Sequence, residues 1–104
     1  MTTATIAGRE ITLDDEGFMT EYDEWSEALG EVLASQIGIE MTDAHWEAVR
    51  FLRKDFLEQG VTPTLRRVST VGGIPIKELF GLFPKKPAKK MAYIAGLPKP
   101  AGCV

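Results

Sequence analysis

The chain has 104 residues, 44% apolar and 26% charged, with a mean hydropathy of −0.06. That is the balance of one small soluble globular domain, and it excludes a disordered or fibrous chain. No window approaches the roughly 18 uninterrupted apolar residues of a membrane span, and the opening MTTATIAGRE lacks the basic-then-apolar order of a secretory signal. The expected compartment is therefore the cytoplasm. The net charge of −3 conceals a division of the chain: residues 1–48 carry twelve acidic groups against Arg9 alone, and residues 49–104 carry eleven basic groups against Asp55, Glu58 and Glu78. A cationic C-terminal half suits nucleic acid, an acidic partner protein, or the other half of the same molecule. One cysteine, Cys103, leaves no internal disulfide and no multi-thiol zinc site, and one histidine, His45, argues against a histidine-based metal site.

Thr5-Ile6 and Glu10 to Leu13 are β-prone runs around Ala7-Gly8-Arg9, which predicts an N-terminal β-hairpin. Asp23 is placed to cap a helix over Glu24 to Gln36, whose Trp25, Ala28, Leu29, Val32 and Leu33 recur at three- and four-residue steps. Thr42 can cap a second helix, Asp43 to Gln59, with Trp46, Val49, Leu52, Phe56 and Leu57 as its apolar stripe and Gly60 as its stop. Thr62-Pro63 repeats the cap-then-proline start for a short helix through Leu65 and Val68, ending before Gly72-Gly73. Pro75 opens another through Ile76, Leu79 and Phe80, and Pro87 a last one to about Ala95, stopped by Gly96. Trp25, Trp46, Phe51, Phe56 and Phe80 read as core.

Two short helices around a glycine turn, after a longer helix, outline a helix-turn-helix unit. The second short helix offers only Lys77 and Glu78 to base edges, which is a poor reading surface for DNA. Beyond Gly96, Leu97-Pro98-Lys99-Pro100-Ala101-Gly102-Cys103-Val104 cannot continue a helix, because two prolines stiffen it toward an extended form. This predicts an arm over residues 97–104 after a single domain over residues 1–96. A thiol near the end of an arm can be an incidental end residue or a carrier that enters a partner's pocket. Cations such as Lys99, or Arg66 and Arg67 if the arm reaches them, would raise its thiolate fraction.

The stretch Leu82-Phe83-Pro84, Pro87-Ala88-Lys89 and Ile94-Ala95-Gly96-Leu97-Pro98-Lys99-Pro100, ending in Gly102-Cys103-Val104, resembles the C-terminal signature of the DsrC/TusE family of sulfur carriers. Asp15-Glu16-Gly17-Phe18, Glu24-Trp25, His45-Trp46, Phe51-Leu52-Arg53 and Thr62-Pro63-Thr64-Leu65-Arg66 follow in family order, so the resemblance runs from about Ile6 to Val104. It implies an α+β, mainly α fold with an N-terminal hairpin, a helix-turn-helix-like core and a mobile C-terminal arm. It also implies that Cys103 bears sulfur as a persulfide, with Arg66 near the folded-back arm, and that no metal or organic cofactor takes part.

Two departures matter. Two-cysteine members carry a second thiol where this chain has Ala92, which removes internal disulfide chemistry and favours the single-cysteine branch. The region from Val68 to Glu78 is shorter than in TusE-type members, which leaves the partner open. The implied donor is a TusBCD- or DsrEFH-like protein. The implied acceptor is a tRNA thiolase or a sulfite-reductase- or heterodisulfide-reductase-like complex. The expected state is a monomer that forms a disulfide dimer on oxidation. Lys85, Lys86, Lys89 and Lys90 are a candidate docking patch for an acidic partner or tRNA, joined by Lys99. The alternative reading is a helix-turn-helix regulatory protein that binds DNA or a partner protein. His45 reads as a packing or capping residue, and Asp14, Asp15 and Glu16 as a solvated turn.

Overall fold

The computed structural model describes residues 2–100; Met1 and residues 101–104, Cys103 among them, lie outside the described residues. The element order is β1 (Thr2–Ile6), β2 (Arg9–Leu13), a 3-10 turn at Tyr22–Glu24, α1 (Glu27–Gln36), α2 (Asp43–Gln59), α3 (Leu65–Thr70), α4 (Ile76–Leu82) and α5 (Pro87–Ala95). This is the expected mainly helical fold with an N-terminal hairpin. The strands are antiparallel with Ala4 opposite Ile11, and Ala7 and Gly8 both adopt positive φ, as a two-residue hairpin turn requires. No helix among the described residues is long and apolar enough to cross a membrane.

The core is a helical layer with α2 and α5 at its centre. Leu52, Val49, Val68, Leu79, Phe83, Met91 and Ile94 are buried in one cluster. Ile11, Met19, Leu29 and Leu33 form a second cluster beneath the hairpin, and Trp25 packs against both. Helix α2 keeps its expected bounds: Thr42 precedes it, and Gly60 closes it at φ +77. His45 finishes the N-terminal turn. Its Nδ1 accepts from the Thr42 N–H at 3.0 Å, which leaves Nε2–H to donate to the Leu82 carbonyl at 2.8 Å. The ring thus ties α2 to the end of α4, a structural role in line with the sequence reading.

Several local expectations give way to longer-range bonds. The cap of α1 is Ser26, whose Oγ accepts from the Leu29 N–H, and not Asp23. Glu24 does not continue a helix because its carboxylate accepts from the Thr12 N–H at 2.7 Å and the Thr12 hydroxyl at 3.1 Å, hooking the 3-10 turn to β2. Likewise Thr64, not Thr62, caps α3. Phe80 is 48% exposed and Leu57 66% exposed, so neither belongs to the core. Both fall on helix faces that no other element covers. The acidic turn after β2 is a bonded loop: the Asp14 carboxylate accepts from the N–H groups of Glu16 and Phe18, each at 2.9 Å.

Candidate functional site

The residues from which the C-terminal segment leaves the domain are held at several points. Helix α5 ends at Gly96, which has φ +70. The Gly96 N–H reaches the Tyr93 carbonyl at 3.3 Å and the Leu97 N–H reaches the Ala92 carbonyl at 3.0 Å. This is the paired closure that a left-handed residue permits. A Cβ at Gly96 would stand 2.4 Å from Trp25 Cδ1, so glycine is required by space as well as by φ. Two carbonyls at the helix end lack intrahelical donors, and two side chains from other elements supply them. The Trp25 Nε1–H donates to Ile94 at 2.8 Å, and Arg53 Nη1–H donates to Ala95 at 2.7 Å.

Arg53, named in the family resemblance without a role of its own, has a structural one here. It rises from the middle of α2, its guanidinium carbon 3.8 Å from the centre of the Tyr22 ring and 4.1 Å from that of Trp25. Tyr22 in turn stacks on Phe56 with centroids 5.8 Å apart. Burial lowers the Arg53 pKa from its ordinary value, against the raising influence of Tyr22 and Asp23. A planar cation between two rings is hidden in sequence because the rings belong to a segment some thirty residues away. Gly30 was equally silent: a Cβ there would meet Trp25 Cζ2 at 2.9 Å and the Ile94 carbonyl at 3.2 Å, so its absence lets the indole lie between α1 and α5.

Past Gly96, Leu97 is fully buried and belongs to the core cluster. The Thr62 hydroxyl donates to the Pro98 carbonyl at 2.7 Å, which explains why Thr62 does not cap α3. Lys99 Nζ pairs with Glu16 at 3.0 Å, bringing the acidic turn to the basic C-terminal end. A groove of about 230 Å³ lies beside this segment, lined by Phe56, Gly60, Val61, Thr62, Pro98 and Lys99. A larger concavity of about 440 Å³ is lined by Glu31, Ser35, Gly38, Ile39, Glu40 and Met41, a set without a thiol or a cation.

The other expected site residues are distributed. Arg66 is exposed on α3 and makes no ion pair among the described residues. Its neighbour Arg67 is committed to buried Asp55 through two bonds of 2.8 Å, joining α3 to α2. Those bonds hold the Asp55 carboxyl below its ordinary range and raise the Arg67 pKa. Lys85 and Lys86 are exposed at positive φ between α4 and α5, Lys89 is half-buried, and Lys90 donates to the Pro84 carbonyl. Ala92 is fully buried. Cys103 lies outside the described residues.

The DsrC-like protein family model matches residues 5–104. The sulfurtransferase TusE of Salmonella paratyphi A is 42% identical over 104 aligned positions, covering 93% of this chain and 95% of its own. The sulfurtransferase TusE of Escherichia coli K12 is 41% identical with the same coverage. Among solved structures, DsrC of Allochromatium vinosum superposes with a TM-score of 0.81 at 33% identity, covering 98% of this chain and 97% of that one. The oxidized DsrC γ-subunit of dissimilatory sulfite reductase from Archaeoglobus fulgidus gives 0.75 at 35% identity, covering 99% of this chain and all of that one. With the family model spanning all but the first four residues and the fold shared throughout, the chain belongs to the DsrC-like protein family.

Proposed function

We propose that this protein is a sulfur-relay carrier whose cargo rides on Cys103 as a persulfide. The reading is supported by relatives named sulfurtransferase at 41–42% identity, and above all by the way the domain fixes the start of the C-terminal segment at Gly96, Leu97 and Pro98. From Pro100, Cys103 is three residues further, at most roughly 10 Å of extended chain. A thiol on so short a lead from an anchored root enters a partner's pocket while the domain stays folded outside it.

The chemistry is thiol exchange. The Cys103 thiolate attacks the outer sulfur of a donor persulfide, R–S–SH; the bond between the two donor sulfurs breaks as the new S–S bond forms. R–S⁻ leaves, and Cys103–S–SH remains, with no net oxidation or reduction. Delivery repeats the step with an acceptor thiolate. Only the thiolate reacts, so a cation brought beside it, the role this reading gives to Lys99 and Arg66, favours loading by favouring that form. The donor is a TusBCD- or DsrEFH-like protein, and the acceptor a tRNA thiolase or a sulfite-reductase- or heterodisulfide-reductase-like complex. The relay operates in the cytoplasm, with Lys85, Lys86, Lys89 and Lys90 as further docking cations. With Ala92 in place of a second thiol, oxidation joins two chains through Cys103.

Incubation with a persulfide donor followed by intact mass measurement tests the reading. One added sulfur on the wild type and none on Cys103→Ser is the expected result; equal loading of both, or of neither, overturns it. No observation favours the DNA-binding alternative: α4 exposes Ile76, Lys77, Glu78 and Phe80, without the arginine or amide side chains that read base edges.

A further inference from the structure

One ion pair joins the acidic start of the chain to its basic end. Lys99 Nζ donates to both carboxylate oxygens of Glu16, at 3.0 and 3.3 Å, across 83 positions of sequence. Both backbones are held independently of the pair. Glu16 stands in a bonded turn: the Asp14 carboxylate accepts from the N–H groups of Glu16 and Phe18, the Asp14 N–H reaches the Phe18 carbonyl at 2.8 Å, and Gly17 turns at φ +89. Lys99 follows directly on Pro98, whose carbonyl Thr62 holds, and on Leu97 in the core. Side chains mounted on fixed backbone lose less freedom when they pair, which favours an ordered contact at a surface where Lys99 is 36% and Glu16 55% exposed.

The pair bears on the thiol because of where Lys99 stands. It is the cation nearest in sequence to Cys103, four residues before it, and an ammonium beside a thiol favours the thiolate. An ammonium already set against a carboxylate presents little net charge to a third group. An exposed pair of this kind is weak, shifting an equilibrium by about two- to fivefold, so it gives way readily to a competing anion. Arg66, the other cation assigned to the thiol, makes no ion pair among the described residues and so has no carboxylate there to compete for it.

We propose that Glu16 sets the reactivity of the carrier thiol by competing with the Cys103 thiolate for Lys99. Paired with Glu16, Lys99 leaves the thiol in its ordinary state; released, it stabilises the thiolate, and the thiol proton passes to solvent. Glu16 is therefore a positioning residue that acts on the sulfur through Lys99. The inference rests on the carrier reading, which gives Cys103 its task.

The test measures the pH midpoint of Cys103 alkylation by iodoacetamide, on the full chain at low salt, by intact mass. Glu16→Gln should lower the midpoint by roughly 0.3–0.7 pH unit, the logarithm of a two- to fivefold change. In a Lys99→Gln background the same substitution should move nothing, whereas Lys99→Arg, which keeps the charge, should preserve the shift. In about 1 M salt the wild type and Glu16→Gln should converge, because an exposed pair is screened there. An unmoved or raised midpoint in Glu16→Gln overturns the proposal. So does an equal shift in the Lys99→Gln background, which would make Glu16 act on the thiol directly by its charge. Loading from inorganic polysulfide, read as added sulfur on the same wild-type sample, separates the two readings: a thiol that alkylates as expected and takes up no sulfur overturns the carrier reading and leaves the competition for Lys99 standing.

Discussion

The end of α5 and the outer face of α4 are built on opposite terms. At the end of α5 the last two carbonyls have partners drawn from far away in sequence, Trp25 and Arg53, while Thr62 holds Pro98 and Leu97 is sealed in the core. On α4, Ile76 and Phe80 project outward, and Gly81 weakens the helix without relieving any crowding. A small domain has little apolar surface to spare. Placing so much of it under one chain end while leaving a helix face bare separates the work: one region sets where the C-terminal segment departs, and the other is left to meet something else.

The sharpest way to break this contrast is to crowd the root. Gly96→Ala forces a side chain to positive φ and into the Trp25 indole, and should cost roughly 4 kcal/mol, strain and overpacking together, in a urea titration. Leu97→Ala should cost about 3 kcal/mol through the cavity it leaves, if the C-terminal segment is anchored as described. A cost under about 0.5 kcal/mol, the range of ordinary surface positions, would show that the anchor carries little stability.

A third substitution probes the tie between α2 and α3. Because Arg67 holds the Asp55 carboxyl below its ordinary range, the stabilisation it brings is complete above about pH 4 and is lost as pH falls through the depressed value. Asp55→Asn should therefore melt several degrees lower at pH 7, and the two proteins should converge in acid. A constant difference at all pH values would sever the bond from the titration. Thr62→Val removes the bond to the Pro98 carbonyl and should cost about 1 kcal/mol. Smallest, and opposite in sign, Gly81→Ala should stabilise by about 0.5–1 kcal/mol, the mark of a position that folding does not need.

Much of this architecture is local and therefore legible in the chain. The bounds of α2 follow from Thr42, a 3.6-residue apolar period and Gly60, and those of α5 from Pro87 and Gly96, because caps and stops act on neighbouring backbone groups. The hairpin follows from alternation across a turn that takes positive φ. What failed did so where a side chain was claimed from a distance. Asp23 and Thr62 are acceptable caps by type; Glu24 is held by Thr12 and Thr62 by Pro98, and no local pattern encodes either bond. Phe80 reads as core by hydrophobicity alone, yet its exposure depends on which elements cover α4.

The candidate site divides along the same line. The family signature, the lone cysteine and the departure at Ala92 are properties of the chain, since a motif is a matter of residue type and spacing. The place of Arg53 between Tyr22 and Trp25, the room made by Gly30, and the bareness of Gly81 belong to the folded molecule alone. Each is a contact, or a lack of one, between residues far apart in sequence, and only packing brings such residues together or leaves them open.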